Sequence, residues 1–311
     1  MKSGLSLPSR DGSALVAVLW LIAILAIATM ATLRVVSFDM DVATAKIHGF
    51  RAKQLAEMGV ALGSNPGVKR TDPMLRKMDE QYGEGYEVKI TSEGGRFNIN
   101  SILLKNDKPL LINLFTSWGI APEDASATAD ALGDWIDADD EVSLNGAEKQ
   151  WYEDQGRMNQ PFNHPFYSLD EMRLVRGMDQ IEAVKPDWRN WFTVWSGGPL
   201  DCNEASAELM AAAAEVPVDT AQQVVDRVKG PDGIRDTDDD APFQNIAPVL
   251  ALLGVDTNSR PDIAARLTVN DTTVRIESTG TAEGSKSRTV IILRNRTGRP
   301  AILQRTEEVI P

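Results

Sequence analysis

The sequence predicts an α+β protein in which a long N-terminal helix packs on an antiparallel sheet and a large all-α domain is inserted between strands. An apolar segment continues into an amphipathic one over residues 13–65, which predicts one long helix. Alternating patterns typical of strands occur within 66–101 and 266–311, whereas 102–265 has few of them. Two domains in tandem would produce the same order of elements, so sequence alone leaves that alternative open.

Composition narrows the class of protein. Hydrophobic residues make up 42% of the chain and charged residues 25%, which is typical of a folded globular protein. The net charge of −13 argues against nucleic-acid binding, because that function needs a basic surface. Cys202 is the single cysteine, so an internal disulfide is impossible, and we predict that it is a buried, inert thiol.

The first part of the helix is apolar enough to enter a membrane. Residues 13–33 carry no charge and exceed the length needed to cross a bilayer core of roughly 30 Å. A cleavable signal peptide is the alternative, since Ala26-Ile27-Ala28 resembles a cleavage site with small residues at its first and third positions. The apolar run continues past Ala28, which favours an anchor that is retained. Lys2 and Arg10 in front of it favour a cytoplasmic N-terminus and place the rest of the chain outside the cytoplasm.

The N-terminus also resembles a known family. A short leader with basic residues ends in Gly12, immediately before the apolar helix, as in type IV prepilin-like proteins. In that family a peptidase cuts after the glycine, which here predicts a leader over residues 1–12 and a mature chain that begins at Ser13 and is methylated there. Mature pilins usually carry a glutamate shortly after the cut, where this chain has Ala17. That departure is similar to the K-type minor pseudopilins of type II secretion, which lack the glutamate.

Local patterns predict the later elements. "GYEVKITSEGGRFNIN" at 85–100 predicts two strands joined by a turn at Gly94-Gly95. Four short strands are predicted near the C-terminus, beginning with Leu267. In the helical block, Pro122 opens a helix, Ser168 with Glu171 forms a capping box, and Asn203 is a candidate cap. The K-type resemblance implies a pilin-like α/β domain over 66–101 and 266–311, interrupted by an α-domain over 102–265.

The first candidate metal site is "DALGDWIDADDEVSLNGAEKQWY", residues 130–152. Asp134 and Asp137 share a helix face, and further carboxylates follow the predicted helix end. Hard oxygen ligands without histidine or cysteine favour Ca²⁺ over zinc or copper, although a solvated acidic helix end is the alternative. The segment resembles a signature of K-type pseudopilins, whose α-domain binds calcium. That resemblance implies Trp135 and Tyr152 as packing residues and, as candidate ligands, Asp134, Asp137, Asp139 and Glu148.

A second acidic segment, "GPDGIRDTDDDAPF" at 230–243, predicts either a second calcium site or a flexible acidic loop. Its carboxylates repel one another when an ordered loop holds them together without a counter-ion. The candidate ligands are Asp232, Asp236, Asp238 and Asp240.

The sequence contains no G-x-S-x-G, P-loop or H-E-x-x-H motif, which argues against the corresponding enzyme classes. The K-type resemblance implies a structural minor pseudopilin without catalysis, anchored once in the inner membrane with its soluble domain in the periplasm. The implied partners are the I- and J-type pseudopilins, the H type, the prepilin peptidase and the inner-membrane secretion platform. Two alternatives remain open: a membrane-anchored hydrolase that uses a metal at the 134–148 carboxylates, and a secreted binding module with a removable signal.

Overall fold

The computed structural model describes residues 11–310 and confirms the α+β class with a long N-terminal helix and an antiparallel sheet. Residues 1–10 of the predicted leader lie outside the described residues. The helices are α1 Asp11–Ser64, α2 Ile99–Leu104, α3 Lys108–Ser117, α4 Pro122–Ile136, α5 Lys149–Asp154, α6 Leu169–Met172, α7 Met178–Val184, α8 Ala207–Ala214, α9 Val218–Lys229, α10 Ala247–Leu253 and α11 Pro261–Ala264. The strands are β1 Arg76–Asp79, β2 Glu84–Ser92, β3 Phe97–Asn98, β4 Phe192–Thr193, β5 Leu200–Asp201, β6 Leu267–Thr268, β7 Thr273–Ala282, β8 Ser285–Arg294 and β9 Ala301–Ile310.

Helix α1 has two parts with different surroundings. From Ala14 to Ile47 the side chains are exposed, and the helix is long and apolar enough there to cross a membrane. Further along, Ala52 and Ala56 are fully buried against the sheet. The helix therefore combines a free apolar segment, consistent with a single-pass anchor, with a segment that belongs to the folded domain.

The main sheet has five antiparallel strands in the order β1-β2-β7-β8-β9. Strands β2 and β7 pair along their whole length, from Glu84 opposite Ala282 to Ser92 opposite Val274. Because these neighbours in space are far apart in sequence, everything between Ser92 and Thr273 is an insertion into one sheet. The tandem alternative is wrong.

Small residues let α1 lie directly on the sheet. A Cβ atom placed on Gly280 of β7 would come within 2.0 Å of the Ala52 carbonyl oxygen and 2.5 Å of the Ala56 nitrogen. A Cβ on Gly59 of α1 would lie 2.1 Å from Ser278 Oγ. Around this contact Val60, Val88, Ile276 and Ile291 form part of a buried apolar cluster. Backbone-to-backbone approach of this kind is available only to glycine.

The inserted domain has its own, larger core. Its largest fully buried side chains include Phe115, Trp135, Tyr152, Trp188 and Phe192. Cys202 also lies in this core with no exposed surface, and burial raises the pKa of its thiol to about 12. The thiol is therefore buried and protonated at neutral pH, as the sequence predicts for an inert cysteine.

The predicted strand pair over 85–100 is wrong in its second half. Phe97 and Asn98 pair in parallel with β4 of the inserted domain, and Ile99 begins α2. The two glycines serve close packing instead of a hairpin. A Cβ on Gly94 would lie 2.3 Å from Asp271 Cβ, and a Cβ on Gly95 would lie 2.9 Å from the Glu204 carbonyl oxygen.

Two other predictions from local sequence are also wrong, because the residues make contacts with distant segments. Leu267, predicted to begin the C-terminal strands, pairs with Leu200 in the two-stranded β5-β6 ladder and not with the main sheet. Asn203 does not cap a helix, since Ser206 is the N-cap of α8. The Asn203 amide instead donates to the carbonyl oxygens of Phe243 at 2.9 Å and Val269 at 3.0 Å. The predicted cap at Ser168 and the helix start at Pro122 are both observed.

The glycine contact between α1 and β7 leads to a stability prediction. We expect Gly280→Ala to destabilise the full chain by roughly 1–3 kcal/mol, because the added methyl forces the α1 backbone away from the sheet. Chemical unfolding in detergent, followed by tryptophan fluorescence, measures the change. The matched control is Gly49→Ala within α1 itself, where no atom outside the local helix backbone lies within 4 Å of the new Cβ. It should be neutral or stabilising by up to about 1 kcal/mol. Equal effects of the two substitutions would contradict the packing argument.

Candidate metal centre

Three acidic side chains meet where α4 ends and α5 begins. Asp134 lies in the last turn of α4, Asp137 is its C-cap, and Glu148 is the N-cap of α5. One carboxylate oxygen from each lies within 4.8 Å of the other two. The C-terminal end of a helix carries partial negative charge, so the end of α4 adds to the repulsion felt by Asp137.

Asp134 is enclosed by the loop that follows α4. It has no exposed surface, and the Ser143 N–H donates to its Oδ2 at 3.2 Å. Gly146 crosses directly over the same carboxylate, so that a Cβ there would lie 1.9 Å from Asp134 Oδ2. The loop can therefore fold back over the carboxylate only because residue 146 has no side chain.

Glu148 is the least satisfied member of the group. Its side chain is 3% exposed, and neither carboxylate oxygen has a hydrogen-bond partner within residues 11–310. A buried carboxylate without a donor or counter-ion is strongly unfavourable, and such groups are paired, metal-bound or protonated in folded proteins. The position of Glu148 therefore requires either a cation or a proton.

The pKa values of these carboxylates also indicate that the group needs a cation or a proton. Burial, followed by the charges of Asp134 and Asp137, raises the pKa of Glu148 to about 7. Burial and the charges of Asp139 and Asp134 raise the pKa of Asp137 to about 6, although Lys108 opposes the shift. A divalent cation among these oxygens would remove the repulsion that holds the protons on.

Lys108 and Asp130 are two functional neighbours that sequence reasoning missed. Lys108 Nζ donates to Asp130 Oδ1 at 2.9 Å and to Ser143 Oγ at 3.2 Å, which commits the ammonium to Asp130 and not to the three carboxylates. Asp130 also accepts from the Asn145 N–H at 3.3 Å and so holds the loop. Asp130 lies four residues before Asp134, so both are on one helix face. This spacing in the sequence could have predicted that Asp130 lies near the site. Lys108 lies in α3, and no local sequence pattern predicts that it approaches this site.

Asp139, the fourth predicted ligand of this site, is not part of the group. It is exposed, and its Oδ1 accepts from the Glu141 N–H at 2.9 Å. Its charge contributes to the raised pKa of Asp137. The structure thus brings together Asp134, Asp137 and Glu148 and leaves Asp139 at the margin.

Trp135 and Tyr152 lie beneath the site as packing residues. Both are fully buried, and their rings meet edge to face with centroids 5.3 Å apart. Trp135 Nε1 donates to Glu171 Oε1 at 3.0 Å, and the Tyr152 hydroxyl accepts from the Arg176 N–H at 3.3 Å. Arg176 also donates to the Gly146 carbonyl oxygen at 2.9 Å. This network holds the loop in the position that encloses Asp134.

The acidic loop at 230–243 shows a different arrangement. Asp232 Oδ1 accepts from the Ile234 N–H at 2.7 Å, and Asp240 Oδ2 accepts from the Asp236 N–H at 2.7 Å. Asp236 lies 3.7 Å from the Arg70 guanidinium. Across residues 11–310, the group around Glu148 is the only set of three or more such ligands close enough to share an ion. The second calcium site, with Asp238 as its fourth candidate ligand, therefore stays a prediction from sequence.

The chemistry of the donor set fits a hard cation. All three groups supply carboxylate oxygens, and neither an imidazole nor a thiolate belongs to the set. Ca²⁺ takes six to eight oxygen ligands and accepts irregular geometry, so carboxylates on a helix end and a loop suit it. The two predicted processing residues, Gly12 and Ser13, lie at the start of α1, far along the chain from this site.

Comparison with known proteins points to one family. A family model described as type II secretion system (T2SS), protein K, matches residues 95–186, which include the three carboxylates. The type II secretion system protein K of Pseudomonas aeruginosa is 29% identical over 173 residues, or 52% of this chain. The protein of the same name from Klebsiella pneumoniae is 34% identical over 113 residues, or 33% of this chain. The matches span 49% and 34% of the lengths of these two relatives.

A solved structure shares the fold. One chain in the crystal structure of the GspK-GspI-GspJ complex from the type 2 secretion system of enterotoxigenic Escherichia coli aligns with a TM-score of 0.62. The alignment covers 88% of this chain and 99% of that chain at 16% identity. At this identity the likeness shows a common fold.

The raised pKa values lead to a prediction for the metal-free protein. The folded-state pKa values of about 7 for Glu148 and about 6 for Asp137 lie above the usual carboxyl pKa near 4. Between about pH 4 and pH 7 the folded state therefore binds more protons than the unfolded state. The stability contributed by these groups is therefore lost as pH rises from about 4 to about 7.

We expect Glu148→Gln, which mimics the protonated acid, to match the wild type near pH 4. Near neutral pH with EGTA it should be more stable by on the order of 2 kcal/mol. Thermal unfolding of the full chain in detergent measures this difference. Glu141→Gln, at an exposed residue outside the group, is the control and should follow the wild type. A constant difference between Glu148→Gln and wild type across this pH range would contradict the assignment.

Proposed function

We propose that this chain is a minor pseudopilin, a structural component of protein export without catalysis of its own, and its similarity to type II secretion system protein K supports this. The observation that carries the proposal is the insertion of a helical domain, matched over 95–186 by the protein K model, into the sheet of a chain led by an exposed apolar helix. This combination accounts for the whole described chain.

The membrane arrangement follows from α1. We propose a single pass through the inner membrane by residues 13–33, with the sheet and the inserted domain in the periplasm. The basic residues Lys2 and Arg10 support this orientation, because positive charge is retained on the cytoplasmic side. The prepilin peptidase would cut after Gly12 and leave the apolar helix in the mature protein.

The geometry of the sheet supports a position at the tip of a pseudopilus. Gly280 lies against Ala52, and Gly63 further along α1 lies against Ile276. Strand β7 therefore runs from an end remote from the membrane segment toward it. The inserted domain joins the sheet at Ser92 and Thr273, at the remote end. A bulky domain there would block a further subunit from adding above this one.

Partners are proposed from the same arrangement. The solved structure with the common fold holds GspK, GspI and GspJ together. We propose that this chain assembles with I- and J-type pseudopilins, and with an H type, on the inner-membrane secretion platform. Beyond the proposed span, Val35, Phe38, Ile47 and Phe50 of α1 are exposed at 57–67% of their surface. Apolar side chains on a free helix suit packing against the helices of partner subunits.

We also propose that calcium stabilises the inserted domain. Asp134, Asp137 and Glu148 would hold the ion, with Asp139 as a peripheral candidate. A bound cation would supply positive charge to the exposed Asp137 and to the two buried carboxylates, and would tie the end of α4 to the start of α5. Because the three groups meet only in the folded chain, calcium bound there would stabilise the fold by mass action.

The calcium proposal predicts a change of sign in the effect of Glu148→Gln. In millimolar calcium the wild type should melt at a higher temperature than in EGTA, with a gain of about 2.7 kcal/mol at a hundredfold excess over Kd. The variant should lose most of this gain and become less stable than the wild type, opposite to its behaviour without metal. Glu141→Gln should keep the gain. An unchanged melting temperature of the wild type on addition of EGTA would refute the calcium proposal.

The N-terminus of the mature protein tests the pseudopilin proposal. Mass spectrometry of the protein purified from membranes should show a chain that begins at Ser13 and carries an N-terminal methyl group. A start near Thr29 would instead indicate a cleaved signal peptide and a secreted module. An intact Met1 would indicate a plain anchor, and either result would overturn the proposed processing.

A further inference from the structure

A polar cavity of about 260 Å³ lies between the main sheet and the inserted domain. The sheet contributes Arg275 and the segment after β2 contributes Glu93 and Arg96, while Asp170 and Arg189 come from the inserted domain. Three positive and two negative side chains thus line the cavity. This local excess of positive charge occurs on a chain whose net charge is −13.

Glu93 is held rigidly by both domains. Its N–H donates to the Thr273 carbonyl oxygen of the sheet at 2.9 Å, and its Oε2 accepts from Thr193 Oγ1 of the inserted domain at 2.5 Å. The residue is 1% exposed, and its Oε1 has no hydrogen-bond partner among the described residues. A buried carboxylate oxygen in this state requires a donor that the described chain does not supply.

The two nearest arginines do not meet that requirement. Arg96 and Arg275 each place a terminal guanidinium nitrogen 3.7 Å from Glu93 Oε1, which is close enough for an ion pair but beyond hydrogen-bond distance. Arg275 is also 3.8 Å from Glu277, and no side-chain hydrogen bond forms from either guanidinium within residues 11–310. Arg189 is committed to Asp170 at 2.7 Å. Two guanidinium groups therefore line the cavity with donors to spare, beside an oxygen that needs a donor.

We propose that this cavity binds a singly protonated phosphate group, either the free ion or a monoester; a monoester carries this proton in only a minor fraction of molecules at neutral pH, because its second pKa is about 6. Guanidinium groups match the oxygens of phosphate in paired, charge-assisted hydrogen bonds, which Arg96 and Arg275 would make. The protonated oxygen of the ligand would donate to Glu93 Oε1. Sulfate carries no proton at neutral pH, so the same carboxylate would repel it. A bound phosphate would connect the sheet to the inserted domain and oppose their separation.

The test uses the full chain in detergent at neutral pH and constant ionic strength, with EGTA present so that calcium phosphate does not form. Inorganic phosphate, glycerol 3-phosphate and sulfate are each titrated, and binding is followed by calorimetry and by melting temperature. We expect saturable binding of inorganic phosphate or of both phosphates, with sulfate at least about tenfold weaker. Binding of inorganic phosphate alone identifies the free ion as the ligand, and binding of both extends the site to monoesters.

Variants locate the binding. Arg96→Gln and Arg275→Gln should each weaken phosphate binding by about tenfold or more. The matched control is Arg76→Gln on β1, whose side chain is 79% exposed and has a single charged neighbour, Glu87, at 3.9 Å; it should bind as the wild type does. Glu93→Gln should reduce the preference for phosphate over sulfate. The proposal is overturned by absence of phosphate binding, by equal binding of sulfate, or by unchanged binding in both cavity arginine variants.

Discussion

The pairing of β2 with β7 is the constraint on which the rest of the structure depends. It closes the main sheet across a long inserted segment and brings Ser92 and Thr273 side by side. The inserted domain must therefore begin and end at the same end of the sheet. The glycine contact with α1 then orients the sheet along the helix, which places that end away from the membrane segment. Strand pairing and close packing together decide where the helical domain lies relative to the exposed apolar segment of α1.

Within the inserted domain, three carboxylates meet at the end of α4, and their negative charges repel one another. The break after Ile136 turns the chain back, with Gly146 over Asp134 and Glu148 beside it. The nearby Lys108 is committed to Asp130, so the group retains uncompensated negative charge. The stability of this region is therefore coupled to the cation or proton that occupies it.

The junction between the two domains is polar where their cores are apolar. Glu93 accepts from Thr193 of the inserted domain and donates to Thr273 of the sheet. Beside this contact, Asp201 accepts at 2.8 Å from the N–H of Asp271, two residues before β7. Burial raises the pKa of Asp201 to about 6, so this contact too depends on its surroundings. Directional hydrogen bonds fix the relative position of the domains more closely than apolar contact would, since apolar contact has no preferred direction.

Sequence alone determined the long helix, the helix starts at Pro122 and Ser168, the α+β class and the placement of Asp134 and Asp137 near a helix end. These features depend on periodicity and cap chemistry within a few residues, which local sequence specifies. Only the tertiary structure decided that Phe97 and Leu267 pair inside the inserted domain. It also decided that Glu148 joins the carboxylates while Asp139 does not, and that Arg96 and Arg275 both approach Glu93. These contacts join segments distant in sequence, whose meeting depends on packing of the whole chain and has no local signature.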